Sequence, residues 1–200
     1  MQKLKSSILL LIISLLFAVI ITTACTNRST SFSAAPEMEL DLDRSYEAVI
    51  STSVGDITMQ LFAREAPITV NSFIFLAKQR YFEGIIFHRV VRDFVIQTGD
   101  PTGTGMGGPG YTFPDELHRT YPYEPGMVAM ANSGPDTNGS QFFICSGIYC
   151  NNLNEIPNYT IFGQVIAGME FVQEINRLEV DQQDRPLKEI VIKSVTIREE

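Results

Sequence analysis

Between residues 47 and 197 the chain is written mostly in short apolar segments whose side chains alternate. Eight can be read, at 47–52, 56–62, 86–91, 95–98, 127–131, 141–146, 160–165 and 189–197. Successive side chains of a strand point to opposite faces, so such alternation marks strands with a buried side. Val54-Gly55-Asp56, between the first two, is a hairpin signal. Eight short strands separated by turn signals restrict the fold to a closed barrel or a sandwich. Two stretches depart from the pattern. After Pro67, the residues Val70, Phe73, Ile74, Ala77 and Tyr81 fall on one helix face. Pro67 suits a first helical turn, although Ala66 before it is a poor cap. A second helix face runs through Phe171, Val172, Ile175 and Leu178. The expected fold class is therefore mainly β: a closed eight-stranded antiparallel β-barrel capped by two α-helices. The connections at 99–126 and 147–159 are long and rich in Gly, Pro and Asn, the kind of loop that carries function on a rigid scaffold.

The segment before residue 46 reads differently. Lys3 and Lys5 precede an uncharged apolar run at 8–21, followed by Thr22-Thr23-Ala24-Cys25. This fits a signal peptide at 1–24. The Cys after small residues resembles a bacterial lipobox, which makes Cys25 the expected lipidation site, although position −3 is Thr22 where Leu or Val is usual. An uncleaved anchor is the alternative: extended to Ala24, the run is 17 residues, the short edge of a spanning helix. Either way the folded part is expected outside the cytoplasm, membrane-anchored on that side. Residues 25–45 are read as the lipidated Cys25 and a flexible Ser/Thr-rich and acidic tether, and 46–200 as one domain.

Charge and motif content exclude several function classes. The net charge is −8, and loss of Lys3 and Lys5 with the first 24 residues takes it to −10. Nucleic-acid affinity rests on Lys and Arg neutralising phosphates, so no nucleic acid is expected as a partner. Gly103-Thr104-Gly105-Met106-Gly107-Gly108 satisfies a dinucleotide-binding spacing, but Pro109 and Pro114 forbid the helix that must follow it. No G-x-S-x-G elbow occurs. His88 and His118 are the only histidines, too few for a metal site, and no cofactor is expected. Cys145 and Cys150 read equally as two inert thiols or as a bridge.

The chemistry concentrates in two stretches. FHRVVRDFVIQTG at 87–99 places Arg89 and Gln97 inside an otherwise core-building strand pair. MVAMANSGPDTNGSQFFI at 127–144 places Gln141 and Phe143 on one face and Phe142 and Ile144 on the other. The same alternation sets His88 opposite Arg89 and gives it a structural reading. Together the two stretches describe a shallow pocket with aromatic walls, one cation and two amides.

Those segments, with GTGMGG and IFGQVIAGME, resemble the cyclophilins, a family of peptidyl-prolyl cis–trans isomerases, over about residues 46–198. The resemblance implies the barrel and two helices already read from the pattern. It implies Arg89 as the catalytic arginine and Gln97 as the amide supporting it. Phe94 and Phe143 line the proline pocket, with Val95 where many members have Met. Ala131, Asn132 and Gln141 hold the peptide backbone and the residue preceding proline. Gly103 lies at the rim of the neighbouring pocket, Leu153 is a pocket residue, and Tyr159 stands where many members have His. The implied activity is isomerisation of X–Pro bonds in exported proteins, by a monomer whose partners are proline-containing polypeptides. A non-catalytic module binding proline peptides at the cell envelope is the alternative. Many cyclophilins carry a Trp that contributes to cyclosporin binding; this chain has none, so weak cyclosporin binding is expected.

Overall fold

The structure, a computed structural model, describes residues 30–117 and 120–200. The expected signal peptide, Cys25 and His118 lie outside the described residues. Eight strands form one antiparallel sheet: β1 (Tyr46–Thr52), β2 (Asp56–Leu61), β3 (Arg89–Val91), β4 (Val95–Thr98), β5 (Met127–Met130), β6 (Phe142–Cys145), β7 (Ile161–Ala167) and β8 (Ile192–Glu199). Helix α1 (Pro67–Lys78) follows β2, α2 (Met169–Asn176) follows β7, and a short 3-10 helix spans Ile148–Asn154.

The sheet order is β3-β4-β6-β5-β7-β2-β1-β8, and this corrects one expectation. The sheet is curled but open: β3 and β8, its two ends, do not pair strand to strand. An isolated bridge between Ile86 and Val191 lies beside them, flanked by bonds from Phe87 N to Ile190 O and from Ile192 N to Ile85 O. The cause lies in β3. It is only three residues long, and its outward amide, Val90 N, donates to Asp184 O in the loop before β8. That loop occupies the edge where a closing strand would have to bond.

Alternation explains the packing. Tyr46, Ala48, Ile50 and Thr52 of β1 and Ile57, Met59 and Leu61 of β2 are buried, with their sequence neighbours more exposed. β5 and β6 differ, because every residue in them is buried. Val128, Met130, Phe142 and Ile144 point into the main core, where Phe73, Phe82, Phe142 and Phe162 pack as an aromatic group. Met127, Ala129, Phe143 and Cys145 point the other way into a smaller cluster with Val95, Tyr123, Cys150 and Ile161. Uniformly apolar strands are what two covered faces require.

The two helices occupy the expected places. Val70, Phe73, Ile74 and Ala77 of α1 are buried, as is Tyr81 just beyond it. Ala66 provides no side-chain cap. Glu116 does so from across the fold, accepting from Ile68 N at 2.9 Å and from Thr69 N and Oγ1 at 2.8 Å. A carboxylate there satisfies orphan amides and meets the positive end of the helix dipole.

Residues 31–45, read as part of a flexible tether, are specifically held. Phe32 packs edge-on against Phe75 at 5.0 Å, and Phe32 N donates to Pro109 O at 2.7 Å. Glu39 N donates to Asn71 Oδ1, and Asn71 Nδ2 returns a bond to Glu37 O. Leu40 packs on the main core. The composition is poor in large apolar residues, yet two of them and one buried asparagine suffice to dock the segment.

Cys145 and Cys150 are disulfide-bonded. The bridge ties the end of β6 to the 3-10 helix.

Candidate active site

Strand register assembles the site. Arg89 on β3 lies opposite Gln97 on β4, Gln97 opposite Phe143 on β6, and Phe143 opposite Ala129 on β5. Directly opposed residues share a face, so one row crosses four strands and carries the cation, the amide and the aromatic ring on one side. Arg89 Nη1 donates to Gln97 Oε1 at 3.4 Å. Gln97 Nε2 donates to Gln141 Oε1 at 3.0 Å, and Gln141 Nε2 donates to Gly105 O and Gly107 O at 3.0 and 2.9 Å. Each amide therefore presents oxygen toward the guanidinium and nitrogen away from it, and the chain of bonds ends on fixed carbonyls. Arg89 Nε also lies 3.6 Å from Asp184 Oδ2, with both side chains well exposed. Such a pair contributes about 0–1 kcal/mol and leaves the guanidinium free to serve a ligand.

Phe94 lies in the three-residue loop between β3 and β4, where Asp93 adopts a left-handed conformation. Its carbonyl accepts from Ser146 N at 2.9 Å, and Gly147 lies flush on the Asp93 backbone, where a Cβ would collide. Phe94, Leu153, Tyr159 and Ala131 are partly buried against the cluster that contains Val95 and Phe143. The Tyr159 ring stands edge-on to Phe143 at 5.4 Å, and Tyr123 holds the Tyr159 backbone at both its nitrogen and its carbonyl. The structure thus brings Phe94, Val95, Phe143, Leu153 and Tyr159 together as one apolar surface beside Arg89 and Gln97.

On the other side of the row a groove of about 510 Å³ is lined by Gln97, Gln141, Ala131, Asn132 and the stretch 105–112. Asn132 Nδ2 donates to Asn158 O at 2.9 Å. Gly103 departs from expectation, since it does not line this groove. It turns the chain behind it, with a positive φ and a bond from its nitrogen to Asp100 O, and its α-carbon faces Ile86. The cause is Asp100, a residue to which the sequence reading gave no role. Its buried carboxylate gathers the amides of Thr102, Gly105 and Gly107 and the Thr102 hydroxyl, so that 105–108 faces the groove instead. Burial alone would raise its pKa, but the Thr102 and glycine bonds outweigh burial and hold it below the usual carboxylate value. An Asp immediately before a Gly/Thr-rich stretch is the signal that points to such a carboxylate-centred loop.

His88 is buried beneath the same loop, and neither ring nitrogen is hydrogen bonded. Burial lowers its pKa; Asp100 and the Gln141 side chain oppose this, while Arg185 and Arg89 add to it. The unfolded chain takes up a proton near the ordinary value of about 6.5, whereas the folded chain resists it to lower pH. The stability contributed by neutral His88 is complete above that value and drains as pH falls below it, at a limiting slope of about 1.4 kcal/mol per pH unit. Asp100 acts in the same direction, but only in the more acidic carboxylate range. Urea unfolding at pH 7.5 and 5.5 should show that a His88→Leu variant loses less stability between the two than the unaltered chain, by up to about 1 kcal/mol. Equal losses would remove His88 from this role.

Comparison with known proteins follows the same outline. The family model described as "Cyclophilin type peptidyl-prolyl cis-trans isomerase/CLD" matches residues 48–197. Peptidyl-prolyl cis-trans isomerase-like 3 of Dictyostelium discoideum is 44% identical over 156 residues, covering 74% of this chain and 92% of that protein. The probable peptidyl-prolyl cis-trans isomerase A of Mycobacterium bovis is 44% identical over 168 residues, covering 75% and 91%. A crystal structure of a Cryptosporidium parvum cyclophilin type peptidyl-prolyl cis-trans isomerase superposes with a TM-score of 0.72 at 36% identity, covering 77% of this chain and 98% of that one. A second structure of that protein, in the presence of the dipeptide Ala-Pro, gives 0.71 at 37% identity, covering 76% and 98%. With a matching sheet, a matching family model across the folded part and relatives well above the threshold of chance, this chain belongs to the cyclophilin-type peptidyl-prolyl cis-trans isomerases.

Proposed function

We propose that the chain isomerises X–Pro bonds of exported polypeptides beside a membrane, with Arg89 as the catalytic donor and Gln97 as its positioning partner. The observation that carries this is the row of Arg89, Gln97 and Phe143, which has an apolar surface around Phe143 and a groove lined by Gln97 and Gln141. The presence of Ala-Pro in the related Cryptosporidium structure fits that arrangement.

The chemistry needs little more. An X–Pro bond turns slowly because rotation destroys amide resonance, at a barrier of about 18–20 kcal/mol. No covalent bond breaks. At the twist, the proline nitrogen loses conjugation and regains a lone pair. A donor aimed at that nitrogen gains little in the planar ground state and much more at the twist, which is selective binding of the transition state. A guanidinium keeps its charge throughout the working pH range and has a fixed direction of donation. Beside Phe94, Val95, Leu153, Phe143 and Tyr159 the proline ring displaces water, which strengthens a charge-assisted bond. Ala131, Asn132 and Gln141 line the groove where the preceding residue would be gripped. Shortening tens of seconds to milliseconds takes roughly 5–6 kcal/mol, within reach of one cationic donor in a dry site.

The location rests on Lys3, Lys5, the apolar run and Cys25. The full-length chain, expressed in a bacterium and separated into membrane and soluble fractions, provides the test. An NMR exchange assay on an X–Pro peptide should find the added isomerase activity with the membranes, and Cys25→Ser should move it to the soluble fraction. Peptide binding without faster exchange would instead establish a non-catalytic binding module. Activity that stays with the membranes after Cys25→Ser would reject lipidation and favour the uncleaved anchor.

A further inference from the structure

We propose that the docked segment ahead of the domain, through Ser31 and Phe32, sets the shape of the groove wall at 108–112 and so governs selectivity for substrate residues ahead of the X–Pro pair. This rests on the isomerase reading above, and specifically on Ala131, Asn132 and Gln141 holding the residue that precedes proline.

The groove starts at Gln97, Gln141, Ala131 and Asn132 and runs out to Pro109–Thr112. A peptide whose X residue lies at the first group directs its earlier residues toward the second. That far wall has no regular secondary structure. Gly105 and Gly107 are fixed by Asp100 and Gln141, but those bonds stop at Gly107. Beyond it, the docked segment supplies the support. Phe32 N donates to Pro109 O at 2.7 Å. Gly110 has a φ of +90°, and a Cβ there would stand 2.5 Å from Ser31 Oγ and 2.6 Å from Phe32 O, so the two backbones lie flush. Glycine is needed both for that conformation and for that approach. The Phe32 ring is anchored in turn on Phe75 of α1 and Tyr81. Tyr111 is fixed to the same helix by a 2.9 Å bond to Ser72. The wall is therefore clamped between the domain and a segment that lies outside the family match, which begins at residue 48.

Phe32 touches no reacting atom and acts as a positioning residue. The test uses the full chain, Phe32→Ala, Phe32→Leu, and two X–Pro peptides that differ only two places before proline, with Phe or with Gly. For Phe32→Ala we expect kcat/KM on the Phe peptide to fall three- to tenfold through KM, with kcat unchanged. The Gly peptide should change less than twofold, and Phe32→Leu should restore most of the difference. Hydrogen exchange across 105–113 should accelerate at least threefold in Phe32→Ala. An equal fall for both peptides, an unchanged ratio, or unchanged exchange would overturn the proposal. If the unaltered chain turned over neither peptide, the isomerase reading would fail on its own, and the exchange measurement would still decide whether the segment holds the wall.

Discussion

Alanine at position 89 should lower kcat/KM for an X–Pro peptide by about two to three orders of magnitude while leaving the fold in place. The size follows from comparison with other preorganised donors, whose removal costs on the order of 10²–10³ in rate. Stability should barely change. The Arg89 side chain is 40% exposed, its ion pair with Asp184 is long, and its bond to Gln97 is at the outer limit of hydrogen-bonding distance. Exposed substitutions of this kind shift stability by about 0.5 kcal/mol or less. Arg89→Lys sharpens the test, because it keeps the charge and loses the forked geometry. If charge alone sufficed, Lys would restore most of the rate; if direction matters, it would restore little. The measurement is an NMR exchange or protease-coupled rate, alongside a thermal melt. A folded Arg89→Ala protein isomerising at near the original rate would remove the guanidinium from the mechanism.

The residues of this row were legible in sequence because alternation is a short-range property. Once 95–98 and 141–146 read as strands, Val95 and Gln97 had to share a side, and Gln141, Phe143 and Cys145 had to share another. What brings those sides together is register, which pairs Gln97 with Phe143 across 46 positions of chain and has no local signature. The open edge of the sheet was illegible for a similar reason. Eight strands can close only if the two end strands meet, and here Asp184, in a loop, takes the Val90 amide first. Glu116 capping α1 from 47 positions beyond Thr69 is another non-local contact that no cap pattern could reveal. Cys145 and Cys150 are five residues apart, which leaves pairing undecided until their Cα atoms are placed 5.6 Å apart, inside the range a bridge spans. The contacts of 31–45 were not legible in composition, because Phe32, Leu40 and the Asn71 side chain hold the segment through partners far along the chain.

The neighbouring phenylalanines of β6 separate fold from chemistry. Phe142 is fully buried, with rings of Phe73, Phe82 and Phe162 around it. Truncating it leaves a cavity that surrounding aromatics cannot fill, at a cost of about 3–5 kcal/mol. That is a large part of a typical total of about 5–15 kcal/mol. At roughly 2–4 °C per kcal/mol for a chain of this size, Phe142→Ala should melt about 10 °C lower. Its folded fraction should still isomerise within about fivefold of the original, because the Phe142 side chain packs in the main core and does not line the groove. Phe143 points the opposite way, into the smaller cluster, edge-on to Tyr159 and in line with Gln97 and Arg89. Part of that cluster is open to solvent, so water can occupy the space left by Phe143→Ala and the melting point should fall less than for Phe142→Ala. Catalysis should suffer more, by about a hundredfold, because a wet pocket neither seats the proline ring nor strengthens the bond from Arg89. Rates normalised to folded protein, together with melts of both variants, decide the matter. If the two variants lose activity and stability in the same proportion, strand alternation does not divide this molecule into a stabilising face and a catalytic face, and Phe143 has no special place in the site.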